Sequence, residues 1–158
     1  MIKPMFTPAQ FDRWFEITEE KAEVKIYDLL RDTGEYFVKL ARESGTYQDQ
    51  TGNLRSSIGY VIVKDGTVLF KNFEKAGKPK AESKEPIIGD QVGERLATRI
   101  ASGIKGFVLV GVAGMNYSVY VEAKGREVIS GSVLQTEMLL RKSIKTIFDA
   151  AARNQANF

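Results

Sequence analysis

The chain has 158 residues, of which 43% are hydrophobic and 27% are charged, and this balance is typical of one globular domain spanning residues 1–158. It contains neither Cys nor His, which excludes disulfides, thiolate or imidazole zinc sites, cysteine nucleophiles and the Ser-His-Asp triad. The composition therefore favours binding or structural work over catalysis, and we expect no cofactor and no metal. No apolar run approaches the roughly 18 residues that a membrane-spanning helix needs.

The net charge of +3 is unevenly distributed along the chain. Residues 7–43 carry nine acids and six bases, a net of −3, whereas residues 124–158 carry six bases and three acids, a net of +3. The acidic N-terminal segment of one copy can attract the basic C-terminal segment of another, head to tail. A solvated surface of mixed charge is the simpler interpretation.

The first predicted element is a long helix over residues 7–44. Thr7 and Gln10 form a capping box around Pro8, and residues 44–45, Ser-Gly, end the helix. Residues 16–25 are strongly charged, so we expect that part to stand partly free of the core. Apolar or small residues recur at helical spacing, at Phe11, Phe15, Ala22, Ile26, Leu29, Leu30, Thr33, Phe37, Leu40 and Ala41.

A β-hairpin follows. Residues 57–64 alternate as a strand, residues 65–66 read Asp-Gly, which is a strong two-residue turn, and residues 67–71 form the returning strand. The two faces of the first strand carry Ile58, Tyr60 and Ile62, and Val61 and Val63, respectively.

The region after the hairpin is rich in Lys. We predict a mobile surface loop near residues 72–86 that contacts partners. Asp90 is a candidate cap for a short helix, and residues 107–112 form a continuous apolar run that predicts a central strand. The apolar face predicted for the short helix consists of Val92, Leu96 and Ile100.

The last third of the chain contains one ambiguous segment and one clear helix. Residues 116–122 fit a strand by alternation and fit a helix with Asn116 as a cap. Ser132 is the predicted cap of a helix over residues 132–152. Its predicted apolar face consists of Leu134, Met138, Ile144, Ile147, Phe148 and Ala151.

These elements predict an α+β fold. A small antiparallel sheet, within a sheet region at residues 51–131, is packed on one face by the long N-terminal helix and the C-terminal helix.

The remaining motifs carry little chemistry. The five Lys between residues 71 and 85 are offset by three Glu, which leaves that stretch at +2, too little uncompensated charge to predict specific nucleic-acid binding. Glu122 is the single acid beside a Tyr- and Val-rich run, and one such acid is usually a structural residue. We therefore expect no enzyme activity.

Two segments together resemble a known family. Residues 51–58 read Thr-Gly-Asn-Leu-Arg-Ser-Ser-Ile, and about sixty residues later residues 116–122 read Asn-Tyr-Ser-Val-Tyr-Val-Glu. Their order and spacing resemble the tail-completion, or head–tail joining, proteins of tailed bacteriophages. The residues of these segments that we select as structural or interaction sites are Thr51, Gly52, Asn53, Leu54, Arg55, Ile58, Tyr117, Tyr120, Val121 and Glu122.

The resemblance implies a virion protein of the neck region that assembles in the bacterial host cytoplasm. It implies a ring of copies, sixfold by family analogy, in contact with neighbouring head-connector and tail-tube proteins and with no membrane partner. A tail terminator, another minor tail protein and a nucleic-acid-binding phage accessory protein are the alternatives that stay open.

Physical reasoning adds roles for these residues. The turn formers of residues 51–55 suit a fixed corner between helix and sheet. Leu54, Ile58, Tyr117 and Tyr120 are predicted to organise the core, although large amphipathic Tyr side chains also suit an interface. Arg55 and Glu122 are predicted to form a structural ion pair.

Overall fold

The computed structural model describes residues 8–80 and 83–155, and within them the chain forms five helices around three strands. In chain order these are α1 (Pro8–Ser44), α2 (Asn53–Ser56), β1 (Ile58–Lys64), β2 (Thr67–Asn72), α3 (Gly89–Ala101), β3 (Phe107–Ala113), α4 (Ser118–Ala123) and α5 (Ser130–Gln155). The predicted α+β class, with its long N-terminal helix, C-terminal helix and small antiparallel sheet, is confirmed. Thr7, the start of the predicted capping box, lies outside the described residues.

The sheet has the order β2-β1-β3, and both pairings are antiparallel. The predicted hairpin is present, and its turn residues Asp65 and Gly66 have φ values of 50° and 80°, which Asp-Gly pairs readily adopt. The prediction that residues 107–112 form a central strand is wrong, because β3 lies at an edge and β1 takes the centre. The apolar run of β3 arises because both of its faces contact packed side chains.

The two faces of β1 support two separate apolar cores, and the predicted division of its side chains is confirmed. Ile58, Tyr60 and Ile62 pack towards α1, while Val61 and Val63 pack towards α3. The expectation that helices cover only one face is therefore wrong. The Val61 and Val63 face is apolar as well, and α3 removes it from water.

The side of α3 that faces the sheet differs from the predicted one. Gly89, Gly93, Ala97 and Ala101 are buried at four-residue intervals, whereas Ile100 of the predicted apolar face is 50% exposed. Small residues let the helix approach the strands closely, since a Cβ at Gly93 would lie closer than 3.0 Å to the carbonyl oxygen of Ser57. Close approach, rather than side-chain size, selects the buried face here.

Only the C-terminal half of α1 belongs to the core. Thr33, Phe37 and Ala41 are buried, while almost all side chains of residues 16–26 are exposed, as their charge predicted. An ion pair between Glu23 and Lys64 of β1 is the contact that the charged half makes with the sheet.

Helix α5 runs antiparallel to α1. The hydroxyls of Ser44 and Ser132 lie 3.3 Å apart where α1 ends and α5 begins. Further along, Phe37 and Leu140 face each other across a groove of about 370 Å³ that the sheet closes below. The buried side of α5 includes Ser132 and Thr136.

The apolar face predicted for α5 is consequently wrong where the structure describes it. Leu134 and Met138 are 60% and 64% exposed and point away from the body of the protein. Small hydroxyl side chains fit the close approach to α1, and the larger apolar ones are left outside. The side chains of Phe148 and Ala151 lie outside the described residues.

Candidate interaction surface

The corner predicted at residues 51–55 is held together by Asn53. Its Oδ1 accepts hydrogen bonds from the N–H groups of Ile88 (2.7 Å) and Gly89 (2.9 Å), and its Nδ2 donates to the Pro86 carbonyl (3.2 Å) and the Thr51 hydroxyl (3.2 Å). Asn53 is buried, and these hydrogen bonds satisfy both polar atoms of its side chain. One side chain thus joins the start of α2 to the start of α3.

Asp90 is not the cap of α3 that the sequence suggested. It lies one residue inside the helix, and the Asn53 side chain satisfies the first N–H groups from across the fold. A long-range cap of this kind leaves no local sequence signal, because donor and acceptor are 36 residues apart.

The Lys-rich loop at residues 72–86 is anchored to the same corner. The Ser56 hydroxyl accepts a 3.0 Å hydrogen bond from the N–H of Gly77, which is buried, and the N–H of Lys80 donates to the Gln50 carbonyl at 2.9 Å. The loop begins at the last residue of β2 and then packs across the corner. Its path is therefore tied to α2 and to the segment that precedes α2.

The ambiguous segment at residues 116–122 is helical, since it contains most of α4. Tyr117 and Val121 turn inward and pack with Leu54 and Ile58 in the core beneath α1. Tyr120 is 72% exposed, so its predicted place in the core is wrong. Val119, Tyr120 and Val121 are consecutive and point to different sides of this short helix, so they cannot all face the core.

The two segments that carry the family resemblance meet across a cleft of about 330 Å³. Thr51, Asn53 and Leu54 line one wall, and Tyr117 and Val121 line the other. The cleft therefore brings together two segments that lie about sixty residues apart in the sequence.

Tyr117 shows the electrostatic character of this cleft. Burial, the largest influence, and the negative charges of Asp49 and Glu85 raise the pKa of the Tyr117 phenol above its ordinary value of 10.0, while a hydrogen bond with the Thr51 side chain acts in the opposite direction. The phenol accordingly stays protonated and neutral through physiological pH.

The ion pair predicted between Arg55 and Glu122 is absent, and Glu122 has another role. Its Oε1 accepts hydrogen bonds from the N–H groups of Ile129 (2.8 Å), Ser130 (2.9 Å) and Val128 (3.3 Å), and its Oε2 accepts one from the Ser130 hydroxyl (2.7 Å). These donors belong to the start of α5, where unpaired N–H groups and the helix dipole favour a negative charge. Glu122 therefore fixes α4 to the first turn of α5.

Arg55 instead contacts Tyr47 and Asp49, which precede the corner in the sequence. Its guanidinium lies over the ring of Tyr47, with 5.6 Å from the Arg55 Cζ to the ring centroid, and its backbone N–H donates to the Asp49 carboxylate at 2.8 Å. The cation over the aromatic face, rather than a carboxylate, balances this partly buried Arg.

The pKa of Glu122 reflects its contacts. Partial burial, the largest influence, raises the pKa, but the hydrogen bonds from Ile129, Ser130 and Val128 together outweigh it and leave the pKa below the ordinary value of 4.5. A carboxyl whose pKa is lowered by folding stabilises the protein above its unfolded pKa. That stabilisation is lost as the pH falls through the folded pKa.

We expect Glu122→Gln to lower the free energy of unfolding by about 1–2 kcal/mol near neutral pH, because the cap loses its charge and one strong acceptor. The difference from wild type should shrink as the pH falls below the unfolded pKa of about 4.5 and through the lower folded pKa of Glu122, because the wild-type carboxyl is then protonated in both states. Urea denaturation at several pH values measures this. Glu137→Gln, which removes only an exposed pair with Arg141, is the control and should cost about 0.3–0.5 kcal/mol. Equal effects of the two substitutions at every pH would contradict the capping role.

The outer side of α4 and α5 exposes large apolar side chains. Val119 and Tyr120 are 70% and 72% exposed, and Leu134 and Met138 on the outward side of α5 are nearly as open. We call these four residues the α4–α5 outer patch. Glu122 ties α4 to the first turn of α5, so the exposed side chains of both helices belong to one scaffold.

Sequence reasoning selected Tyr120 but missed the other members of the α4–α5 outer patch. Val119 was passed over, and Leu134 and Met138 were assigned to the core. The available signal was the crowding of apolar residues around the short helix α4, since Tyr117, Val119, Tyr120 and Val121 cannot all face one core.

Within residues 8–80 and 83–155 no three acidic, His or Cys side chains come together as metal ligands would, and no helix combines the length and apolar character needed to cross a membrane. The geometry of the described residues thus offers an apolar contact surface on a firmly braced scaffold. Comparison of the chain with protein-family models, with curated proteins and with solved structures finds no match.

Proposed function

We propose that this protein is a structural protein of the neck of a tailed-bacteriophage virion, which completes the tail at the head connector by assembling into a ring. The observation that carries the proposal is the α4–α5 outer patch, whose large apolar side chains lack any cover within the described chain. Fixed, exposed apolar surface on a small protein is typical of contacts between proteins.

The resemblance at residues 51–58 and 116–122 supports the same proposal. Both segments brace one another at the corner cleft, and the second segment ends in the Glu122 cap that positions α4 against α5. In this proposal the motif residues do no chemistry. They shape the scaffold that presents Tyr120 to a partner.

The proposed partners are other copies of the chain and the neighbouring head-connector and tail-tube proteins, within the virion and, during assembly, in the host cytoplasm. No enzymatic step is part of the proposal. The same scaffold would also serve a tail terminator or another minor tail protein, and the assembly phenotype separates these roles.

Two measurements test the function. Phage particles made without the protein should accumulate as separate filled heads and finished tails; tails of uncontrolled length would instead indicate a terminator. Light scattering across protein concentration should show closed assemblies of the 17.6 kDa chain. A gel shift with nucleic acid that weakens steeply with salt, together with normal head–tail joining in the protein's absence, would overturn the proposal.

The α4–α5 outer patch should control assembly rather than folding. We expect the triple variant Tyr120→Ser, Leu134→Ser and Met138→Ser to sediment as a single 17.6 kDa chain under conditions where wild type assembles, because the apolar area buried between copies is lost. Its urea midpoint should match wild type, since all three side chains are exposed.

Val68→Ser is the matched control for this prediction. Val68 is an exposed apolar residue on β2, away from α4 and α5, and its loss should leave assembly intact. If the triple variant assembles as well as wild type, the outer patch is not the contact surface.

A further inference from the structure

The outward side of α5 combines apolar and basic residues in one stripe. Leu134 and Met138 are followed at helical spacing by Arg141 and Lys145, so all four project from the side opposite the buried Ser132. All four are exposed. We call these four residues, together with the adjacent exposed Lys142, the α5 stripe.

The α5 stripe also carries positive charge that the fold leaves uncompensated. Residues 134–147 contain three bases and one acid, a net of +2. Arg141 pairs with Glu137 within the helix, whereas Lys142 and Lys145 form no salt bridge with any described residue. The apolar side chains of the α5 stripe and the Lys side chains next to them are therefore exposed to a partner.

The free half of α1 shows the opposite combination. Val24 is 59% exposed and Ile17 is 41% exposed, and they lie on one side of the helix, seven residues apart, with Glu20 and Asp28 beside them. We call this set the α1 stripe. Glu20 and Asp28 are exposed and form no salt bridge within the described part of the chain.

The α1 stripe lies in the most acidic segment that the helix exposes. Residues 16–28 contain five acids and two bases, a net of −3, and among those acids only Glu23 forms a salt bridge with another described residue, Lys64. Both stripes thus present two large apolar side chains, and the charges that flank them have opposite signs.

We propose that the α5 stripe of one copy docks on the α1 stripe of a second copy. The apolar side chains of the two stripes pack together in this contact, and Lys142 and Lys145 face Glu20 and Asp28. The choice of a second copy rests on this charge complementarity, and the inference rests on the self-assembly that the proposed function requires. Because the two stripes are unlike surfaces, one contact can repeat from copy to copy and close a ring.

A pair of charge-reversed variants tests the contact. In one variant Lys142→Glu and Lys145→Glu make the α5 stripe acidic, and in the other Glu20→Lys and Asp28→Lys make the α1 stripe basic. In either variant alone the two stripes carry like charges and repel. In an equimolar mixture every contact between unlike variants again joins opposite charges.

Sedimentation velocity at low salt is the readout. We expect wild type to assemble, each variant alone to remain at 17.6 kDa, and the mixture to recover the wild-type assembly with the two variants in equal amounts. A Lys124→Glu and Arg126→Glu variant has the same change of net charge in the exposed turn before α5 and should assemble as wild type does. Circular dichroism checks that every variant is folded.

Three outcomes would overturn the contact. If either variant alone assembles normally, other surfaces join the copies, and the contact fails while the ring function stands. If the mixture stays monomeric, the loss of assembly does not come from this pair of stripes. If wild type is monomeric at every concentration while head–tail joining still needs the protein, the stripes serve a different neck protein.

Discussion

Replacing Asn53 by Ala should lower the free energy of unfolding by about 2–4 kcal/mol, one of the two largest effects we expect in this protein. The change removes the acceptor for the Ile88 and Gly89 N–H groups and the donor to the Pro86 carbonyl, all at a buried site. The orphaned N–H groups then bear the cost of desolvation without a partner. Urea denaturation of wild type and variant measures the loss.

Asp90→Ala is the control for Asn53, because sequence patterns favour Asp90 as the cap of the same helix. One of its carboxylate oxygens is buried without a hydrogen-bond partner in the described residues. Its removal should therefore change the free energy of unfolding by less than about 1 kcal/mol. A larger loss for Asp90→Ala than for Asn53→Ala would contradict the long-range cap.

Gly77→Ala should destabilise the protein by about 3 kcal/mol or more, because the added methyl group has no space. A Cβ at Gly77 would lie closer than 3.0 Å to three backbone atoms of Gly52, and backbone cannot move aside as a flexible side chain can. The loop would have to lift from the corner and give up the hydrogen bond between Gly77 and Ser56.

Gly103→Ala is the control for Gly77. Gly103 has open space around its would-be Cβ, and only its φ of 78° opposes a side chain, at a cost of about 1–2 kcal/mol. Hydrogen exchange of the loop amides separates the two effects, since only Gly77→Ala should release protection near residue 77. Unchanged stability in Gly77→Ala would mean that the loop is not anchored at the corner.

Anchoring also bears on the contact role predicted for the loop at residues 72–86. Lys71 pairs with Glu94, and Arg42 pairs with Glu74, so one Lys and one Glu at the start of this region are neutralised and its net charge of +2 is unchanged. The hydrogen bonds of Gly77 and Lys80 hold the loop against the corner, and its contact with partners stays a prediction.

Much of the fold follows from local pattern. The alternation in residues 57–64 places Ile58 and Val61 on opposite faces of β1, the Asp-Gly turn closes the hairpin, and the charge of residues 16–25 keeps that half of α1 outside the core. Each of these features depends on backbone geometry or hydration within a few neighbouring residues, and such interactions can be read from a sequence.

The candidate site could be predicted only in part from such local sequence patterns. The two motif segments were identified, and the structure brings Leu54 and Tyr117 together in one core. The ion pair predicted between Arg55 and Glu122 is wrong, because opposite charge alone does not predict contact. The Glu122 carboxylate instead accepts hydrogen bonds from several N–H groups that converge at the N-terminus of α5.

Sequence pattern alone determines here that the chain forms a small antiparallel sheet with long helices, and composition alone shows that it contains neither Cys nor His. Tertiary packing decides which side of each helix is buried. Gly93 in α3 and Thr136 in α5 turn inward, while Leu134 and Met138 turn outward, because closely approaching helices select residues that fit the gap. Hydrophobicity ranks side chains by their affinity for a core, but the space between neighbouring elements determines which of them can enter it.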